Sequence, residues 1–119
     1  MKYGYVRVRN QNNEEAIKMQ CMYLQSRGAE KIYVETDGSQ LQILLDTLEH
    51  NDELYVFAPD RLSRNTKDLM EIFHRLSEKE VILYAGPERF DTNNPFEVHL
   101  LCLELEASKK KLAKKIKAE

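Results

Sequence analysis

The sequence predicts an α/β domain of three layers, in which a mostly parallel sheet of four to five strands carries helices on both faces. Short apolar runs rich in β-branched and aromatic residues alternate four times with segments whose apolar residues recur at helical spacing. At 119 residues, of which 42% are apolar, the chain is long enough for one domain with its own core and too apolar to be disordered. A long C-terminal helix is expected to complete the fold.

Two strands and two helices are predicted in the first half of the chain. Residues 3–8 favour a strand, and Asn13 followed by two glutamates begins a helix that Gly28 ends. A second strand is predicted over residues 31–34, and a second helix follows the next turn at residues 41–48. The buried stripe of the first helix is predicted to consist of Ile17, Cys21, Leu24 and either Met19 or Met22.

The second half continues the alternation of strands and helices. Strands are predicted over residues 53–57 and 81–84, and a helix over residues 65–78 separates them. Phe90 lies in a connection that suits a short extra strand. The inward residues of the separating helix are predicted to be Leu69, Ile72, Phe73 and Leu76.

Residues 95–119 are predicted to form the C-terminal helix, after an α/β domain at residues 1–94, because Pro95 suits a first helical turn. Residues 108–119 hold six lysines and one glutamate, a charge of +5, although the whole chain carries −2. Such an end binds DNA phosphates without reading sequence, or it only solubilises the helix terminus. The candidate DNA-contacting lysines are Lys109, Lys110, Lys111, Lys114 and Lys115.

Several kinds of protein are excluded by the sequence. It has no run of 18 apolar residues to cross a membrane and no signal peptide, so a cytoplasmic protein is expected. Cys21 and Cys102 are predicted to be buried free thiols. No spacing of metal ligands or glycine-rich phosphate loop occurs, so neither a metal nor a cofactor is expected. The histidines His50, His74 and His99 are far apart and have no visible general-base partner.

The segment at residues 60–69 carries the strongest chemical signal. Arg61 and Arg64 lie three residues apart, where a strand ends and a helix begins, and Asp60 is placed to orient one of them. Two guanidinium groups beside helix-end N–H groups suit a bound phosphate. Arg7, near the end of the first strand, would reach the same edge of the sheet if the two strands are neighbours. The alternative is that the arginines pair with surface acids.

These residues occur in blocks that resemble the N-terminal catalytic domain of the serine recombinases, the resolvase/invertase family. The resemblance covers about residues 3–107 in the family's order. The matching blocks are Tyr5-Val6-Arg7-Val8, Gln20-x-x-x-Leu24-x-x-x-Gly28, Ile32-Tyr33-Val34-Glu35, Asp52-Glu53-Leu54-Tyr55-Val56, Asp60-Arg61-Leu62-Ser63-Arg64-Asn65-Thr66-x-Asp68-Leu69 and Glu88-x-Phe90-Asp91-Thr92-x-x-Pro95.

The resemblance implies DNA strand exchange by a serine hydroxyl that attacks the scissile phosphate and forms a 5′-phosphoserine link, without metal or nucleotide. Arg7, Arg61 and Arg64 match the family's arginine cluster, which stabilises the charge on the phosphate. Asp60 matches the acid before that cluster. The resemblance also implies a homodimer formed through the C-terminal helix.

The sequence departs from the family at two positions. Arg9 stands where the family has its nucleophilic serine, and no hydroxyl or thiol lies between Tyr5 and Cys21. Ser39 and Gln40 occupy the places of an Arg-Pro pair, so one more phosphate-contacting arginine is missing. The resemblance therefore predicts a degenerate active site.

Three functional hypotheses remain open on these residues. The first is a catalytically silent, DNA-associated or accessory protein of recombination, acting as a homodimer or with a partner recombinase. The second is an active strand-exchange enzyme, or a fragment of one, that uses an unorthodox nucleophile such as Ser63 or Ser39. The third is a small α/β protein that binds a phosphorylated ligand at the cluster of Arg7, Arg61 and Arg64.

Overall fold

The chain folds as an α/β domain in a computed structural model that describes residues 1–8, 10, 12–63 and 65–91. Within them, five strands and three α-helices alternate, and a 3₁₀ turn at Pro59–Arg61 precedes the third helix. The predicted C-terminal helix at residues 95–119 lies outside the described residues. The elements are β1 (Lys2–Val6), α1 (Glu14–Arg27), β2 (Lys31–Val34), α2 (Gln40–Thr47), β3 (Glu53–Val56), α3 (Thr66–Glu78), β4 (Ile82–Ala85) and β5 (Glu88–Asp91).

The strand order is β2-β1-β3-β4-β5, with the first four strands parallel and β5 antiparallel to β4. β1 pairs with both β2 and β3, so that Tyr5 lies opposite Tyr33 on one side and Val56 on the other. The predicted mostly parallel sheet and the short extra strand around Phe90 are confirmed. The chain winds to opposite sides of β1, and the switch of direction falls between β1 and β3.

Helices cover both faces of the sheet, as predicted. One face packs against α2 and α3 in a large core that includes Leu44, Leu69 and Phe73. The predicted inward residues of α3 are all buried there. The opposite face packs against α1 in a smaller cluster around Val6, Leu24 and Tyr55.

The predicted stripe of α1 is only partly correct. Leu24 is buried, whereas Met19 and Met22 are 71% and 59% exposed, so neither of the two alternatives for the methionine is correct. Gln20 is buried instead, because its amide reaches back to the backbone carbonyl of Arg7, just after β1. Helix α1 ends as predicted at Gly28, whose φ of +114° suits a residue without a side chain.

The ends of the chain's first and third strands differ slightly from the prediction. β1 ends at Val6 and β3 at Val56, which leaves Val8 and Phe57 outside the strands. Cys21 is a half-buried free thiol, and burial raises its pKa. Cys102 lies outside the described residues. No helix in the described part of the chain is long and apolar enough to cross a membrane.

Candidate functional site

The loops after β1 and β3 meet at the point where the sheet changes its winding direction. In open α/β sheets this crevice, at the carboxyl ends of the strands, is where ligands bind. Arg7 follows β1, and the 3₁₀ turn at Pro59–Arg61 follows β3. The pairing of β1 with β3 therefore brings the predicted residues Arg7, Asp60 and Arg61 to one edge.

Arg7 is tied directly to the turn after β3. Its Nη2 donates a hydrogen bond of 3.3 Å to the backbone carbonyl of Asp60. From the other side, the buried Gln20 donates its Nε2 to the carbonyl of Arg7 at 3.3 Å. The half-buried guanidinium of Arg7 is thus held where the two loops meet.

Arg61 lies on the other side of Asp60 and is poorly satisfied. Its Nε is 4.0 Å from Oδ1 of Asp60, too far for a hydrogen bond. Both atoms are buried, and neither has a hydrogen-bond partner among the described residues. Asp60 thus orients Arg7 through its backbone carbonyl and faces Arg61 across a gap. An unpaired buried polar atom is costly, which makes such a group a candidate for ligand binding.

An aromatic pair borders Arg61. The Arg61 guanidinium carbon lies 5.8 Å from the ring centroid of Phe57. Tyr23 of α1 contacts the same ring edge-on, with centroids 5.4 Å apart at 73°. Phe57 is nevertheless 44% exposed. The candidate site therefore combines cations with an exposed aromatic side chain, which the sequence analysis did not assign to it.

The first N–H groups of α3 are partly occupied by a side-chain cap. Oδ1 of the N-cap residue Asn65 already accepts from the N–H groups of Lys67 at 2.9 Å and Asp68 at 3.4 Å. Ser63 reinforces this cap, since its hydroxyl accepts from the N–H of Asn65 at 3.0 Å. These two N–H groups are therefore occupied by the cap in this structure, and their contribution to phosphate binding stays a prediction.

The neighbouring loop after β2 is closed by a buried carboxylate. Oε1 of Glu35 accepts a hydrogen bond from the Tyr5 hydroxyl at 2.8 Å. The two oxygens of the Glu35 carboxylate also accept hydrogen bonds from backbone N–H groups of the loop and of α2. These donors are the N–H groups of Thr36, Gly38, Gln40 and Leu41. Burial alone would raise the pKa of Glu35, but the hydrogen bonds outweigh it and lower the pKa.

The sequence does not predict that Glu35 is the buried acceptor that closes this loop. The available signal is an acidic residue between an apolar strand and a Thr-Asp-Gly turn. That signal does not reveal Tyr5, which is 30 positions away. Burial and the Glu35 carboxylate together raise the pKa of Tyr5, so the hydroxyl keeps its proton and remains a donor.

A groove of about 410 Å³ opens beside Arg7. Its lining joins apolar side chains of α2 and α3 to Ser63 and to charged residues of α3. Ser63 itself is only 9% exposed, and its hydroxyl also donates to the carbonyl of Asn65 at 3.3 Å. The lining residues are Arg7, Leu41, Gln42, Leu45, Leu62, Ser63, Asp68, Glu71, Ile72 and Arg75.

The remaining candidates are dispersed or lie outside the described residues. Ser39 is exposed, and its hydroxyl donates to Asp37. His50 and His74 are exposed and pair with Glu80 and Glu78. In the part of the chain that the structure describes, no cluster of side chains fits a metal ion. Outside that part lie Arg9, Arg64, His99 and the lysines Lys109, Lys110, Lys111, Lys114 and Lys115.

Comparison with known proteins identifies the same family over nearly the whole chain. The family model described as "Resolvase, N terminal domain" matches residues 2–116. The chain is 30% identical over 109 residues to the Transposon Tn1546 resolvase of Enterococcus faecium, a match that covers 84% of this chain and 56% of that protein. It is 31% identical over 101 residues to the Serine recombinase gin of Escherichia phage Mu, covering 80% and 51% respectively.

The chain spans about half the length of the curated relatives that it matches. The matched region contains the sheet, the loop after β1 and the 3₁₀ turn at Pro59–Arg61, called the arginine turn below. With its family-model match, its relatives and its fold in agreement, this chain belongs to the resolvase N-terminal domain family of the serine recombinases.

Proposed function

We propose that this protein is a non-catalytic, DNA-associated accessory or regulatory protein of site-specific recombination. It retains arginines that suit a DNA phosphate but lacks the serine that would attack it. The observation that carries this proposal is the meeting of Arg7 and Arg61 around Asp60, at the switch point of the sheet, beside a loop whose nucleophile position holds Arg9.

The retained groups suit binding better than bond cleavage. Charge-assisted hydrogen bonds from guanidinium groups to phosphate are short and strong, and they need no hydroxyl. A strand break that conserves the phosphodiester energy requires a covalent intermediate, and arginine does not supply a nucleophile for it. The Arg61 side chain is 26% exposed and has no hydrogen-bond partner at its Nε, which supports a role in which the guanidinium contacts a ligand.

The serine closest to the arginine turn is engaged in local structure. The Ser63 hydroxyl both accepts from and donates to the backbone of Asn65, and the side chain is buried. To attack phosphorus, this hydroxyl would have to leave the cap of α3. This cost favours the non-catalytic function over strand exchange with Ser63 as an unorthodox nucleophile.

The catalytic part of the proposal is tested by trapping covalent adducts. The purified chain is incubated with supercoiled plasmid, quenched with denaturant and assayed for protein-linked DNA. The expected result is intact supercoiled DNA. Protein-linked nicked or linear DNA would overturn the proposal, and loss of that product in Ser63→Ala would then identify the nucleophile.

The binding part is tested by gel-shift titration of Arg7→Gln and Arg61→Gln against duplex DNA. Each variant is expected to bind about tenfold more weakly, because each loses charge-assisted contacts to phosphate. Arg27→Gln is the matched control, because it removes the same charge at the end of α1, on the opposite edge of the sheet. Equal losses in all three variants would show a general charge effect and contradict a specific site.

The C-terminal segment has a separate place in the proposal. We infer that residues 95–119 form a helix through which two copies associate, with or without a partner recombinase, and that its lysines contact DNA. The whole chain with Lys109, Lys110, Lys111, Lys114 and Lys115 changed to glutamine should show a slope of log K against log salt that is flatter by about 4.5 if all five contact duplex phosphates. An unchanged slope would contradict the lysine contacts.

The proposed dimer is tested separately, by sedimentation of the native chain. A monomer at micromolar concentration would contradict the dimer. The proposed DNA partner implies a cytoplasmic protein.

A further inference from the structure

Phe57, just before the arginine turn, has an exposed aromatic ring that phosphate binding does not use. Phe57 follows β3 directly, and 44% of its surface is accessible, unlike the buried Leu54, Tyr55 and Val56 before it. Tyr23 contacts its edge, and the Arg61 guanidinium lies near its face. The ring is therefore fixed in place beside a cation and remains partly open to solvent.

An exposed aromatic ring next to cations that suit phosphate matches the repeating unit of a single-stranded nucleic acid. A nucleotide has one anionic phosphate and one flat base, and base stacking on aromatic rings contributes about 1–3 kcal/mol per base. In a duplex the faces of the bases are covered by their neighbours, so a ring can reach them only where the stack is opened. The pairing of Phe57 with Arg61 thus favours an unpaired nucleotide over an intact duplex.

We propose that Phe57 and Arg61 form a subsite for one unpaired DNA nucleotide, in which the base stacks on the Phe57 ring and the phosphate pairs with the arginine. Tyr23 is a positioning residue that holds the ring through its edge contact. This inference rests on the proposed DNA association and narrows it to single-stranded segments at the crevice between β1 and β3.

The test compares matched DNA ligands with the full chain, using fluorescence anisotropy. The ligands are a labelled single strand of about 12 nucleotides, the same strand with abasic sites in place of its bases, and the corresponding duplex. The variants are Phe57→Leu, which keeps apolar bulk without an aromatic face, and Phe57→Trp, which enlarges that face. Ile43→Ala is the control, because Ile43 on α2 is exposed to 46%, nearly as much as Phe57.

The native chain is expected to bind the normal single strand about tenfold more tightly than the abasic strand. Phe57→Leu should remove that difference, Phe57→Trp should keep or increase it, and Ile43→Ala should leave it unchanged. Duplex binding should stay within about twofold of the native value in all three variants. Unfolding curves of each variant check that the fold is retained.

Other outcomes overturn the subsite and separate it from the broader proposal. If the native chain binds duplex but does not distinguish normal from abasic strands, the subsite is wrong and the DNA association stands. If Phe57→Leu weakens duplex and single strand equally, the ring serves folding or general contact instead of stacking. If the native chain binds none of the three ligands, both proposals are overturned.

Discussion

The loops after β2 and β3 lie at the same edge of the sheet, but they satisfy the first N–H groups of the helices that follow them in different ways. Each follows a parallel strand and begins a helix, so each must satisfy the first N–H groups of that helix. In the loop after β2, the Glu35 carboxylate accepts four backbone N–H groups and the Tyr5 hydroxyl. In the loop after β3, the local cap Asn65 accepts two N–H groups, while Nε of Arg61 has no hydrogen-bond partner.

The difference separates a structural loop from one suited to a ligand. The Glu35 loop contains an anion at a helix N-terminus, so its donors are occupied by the chain itself. The Arg61 loop leaves Nε of Arg61 with an ion pair of 4.0 Å to Asp60 but no hydrogen-bonded acceptor, and it leaves the Phe57 ring without full burial. Unsatisfied groups persist in a native fold where the rest of the domain supplies enough stability, and they concentrate at functional sites.

The largest expected effect is on the closed loop. Glu35→Gln replaces one acceptor oxygen by an amide that faces N–H donors, so buried donors lose their partners. We expect the free energy of unfolding to fall by about 3 kcal/mol, measured by urea denaturation. Asp37→Asn is the control in the same loop, because Asp37 is exposed. A loss under about 1 kcal/mol for Glu35→Gln would show that the carboxylate contributes little to the fold.

The same carboxylate should make the stability of the folded protein fall as the pH becomes acidic. The pKa of Glu35 is lowered in the folded state, so its charged form stabilises the fold above the unfolded pKa, near 4.3. That contribution is lost as the pH falls from the unfolded pKa through the lower folded pKa. Urea midpoints from pH 7 to pH 3 should therefore decline more steeply in the native chain than in Glu35→Gln. Parallel curves would contradict a lowered pKa in the folded state.

A smaller effect is expected from the cap of the open loop. Asn65→Ala removes the acceptor for the N–H groups of Lys67 and Asp68, at an expected cost of about 1 kcal/mol in the free energy of unfolding. The cap is exposed, so water can replace part of what is lost. Asn65→Asp retains an acceptor and should restore most of the stability. A loss as large as that of Glu35→Gln would remove the contrast between the two loops.

Much of the difference between the loops was beyond the reach of sequence. Local patterns predicted the alternation of elements, the buried face of α3 and the arginine turn, because these depend on neighbours along the chain. The pairing of β1 with β3 then brought Arg7 to Asp60, as the sequence analysis anticipated for neighbouring strands. Helical periodicity failed on α1, where the amide of Gln20 is buried through its bond to Arg7 and Met19 is exposed. Polar contacts between distant residues decided that case.

The smallest expected change in stability, with a large change in binding, belongs to Arg61→Gln. The substitution removes a cation–π contact with Phe57 and an ion pair with Asp60, each worth about 0.5 kcal/mol at these partly exposed side chains, and it also removes a buried Nε without a hydrogen-bond partner, whose cost is about 1–3 kcal/mol. The second effect is larger, so the free energy of unfolding should stay constant or rise by about 1 kcal/mol in urea denaturation. The same variant should bind DNA about tenfold more weakly, because a phosphate contact is lost. A variant that gains or keeps stability while it loses affinity has lost a group retained for its ligand. If Arg61→Gln instead destabilises the fold as Asn65→Ala does, Arg61 is a structural residue and the two loops differ only in how their helices are capped.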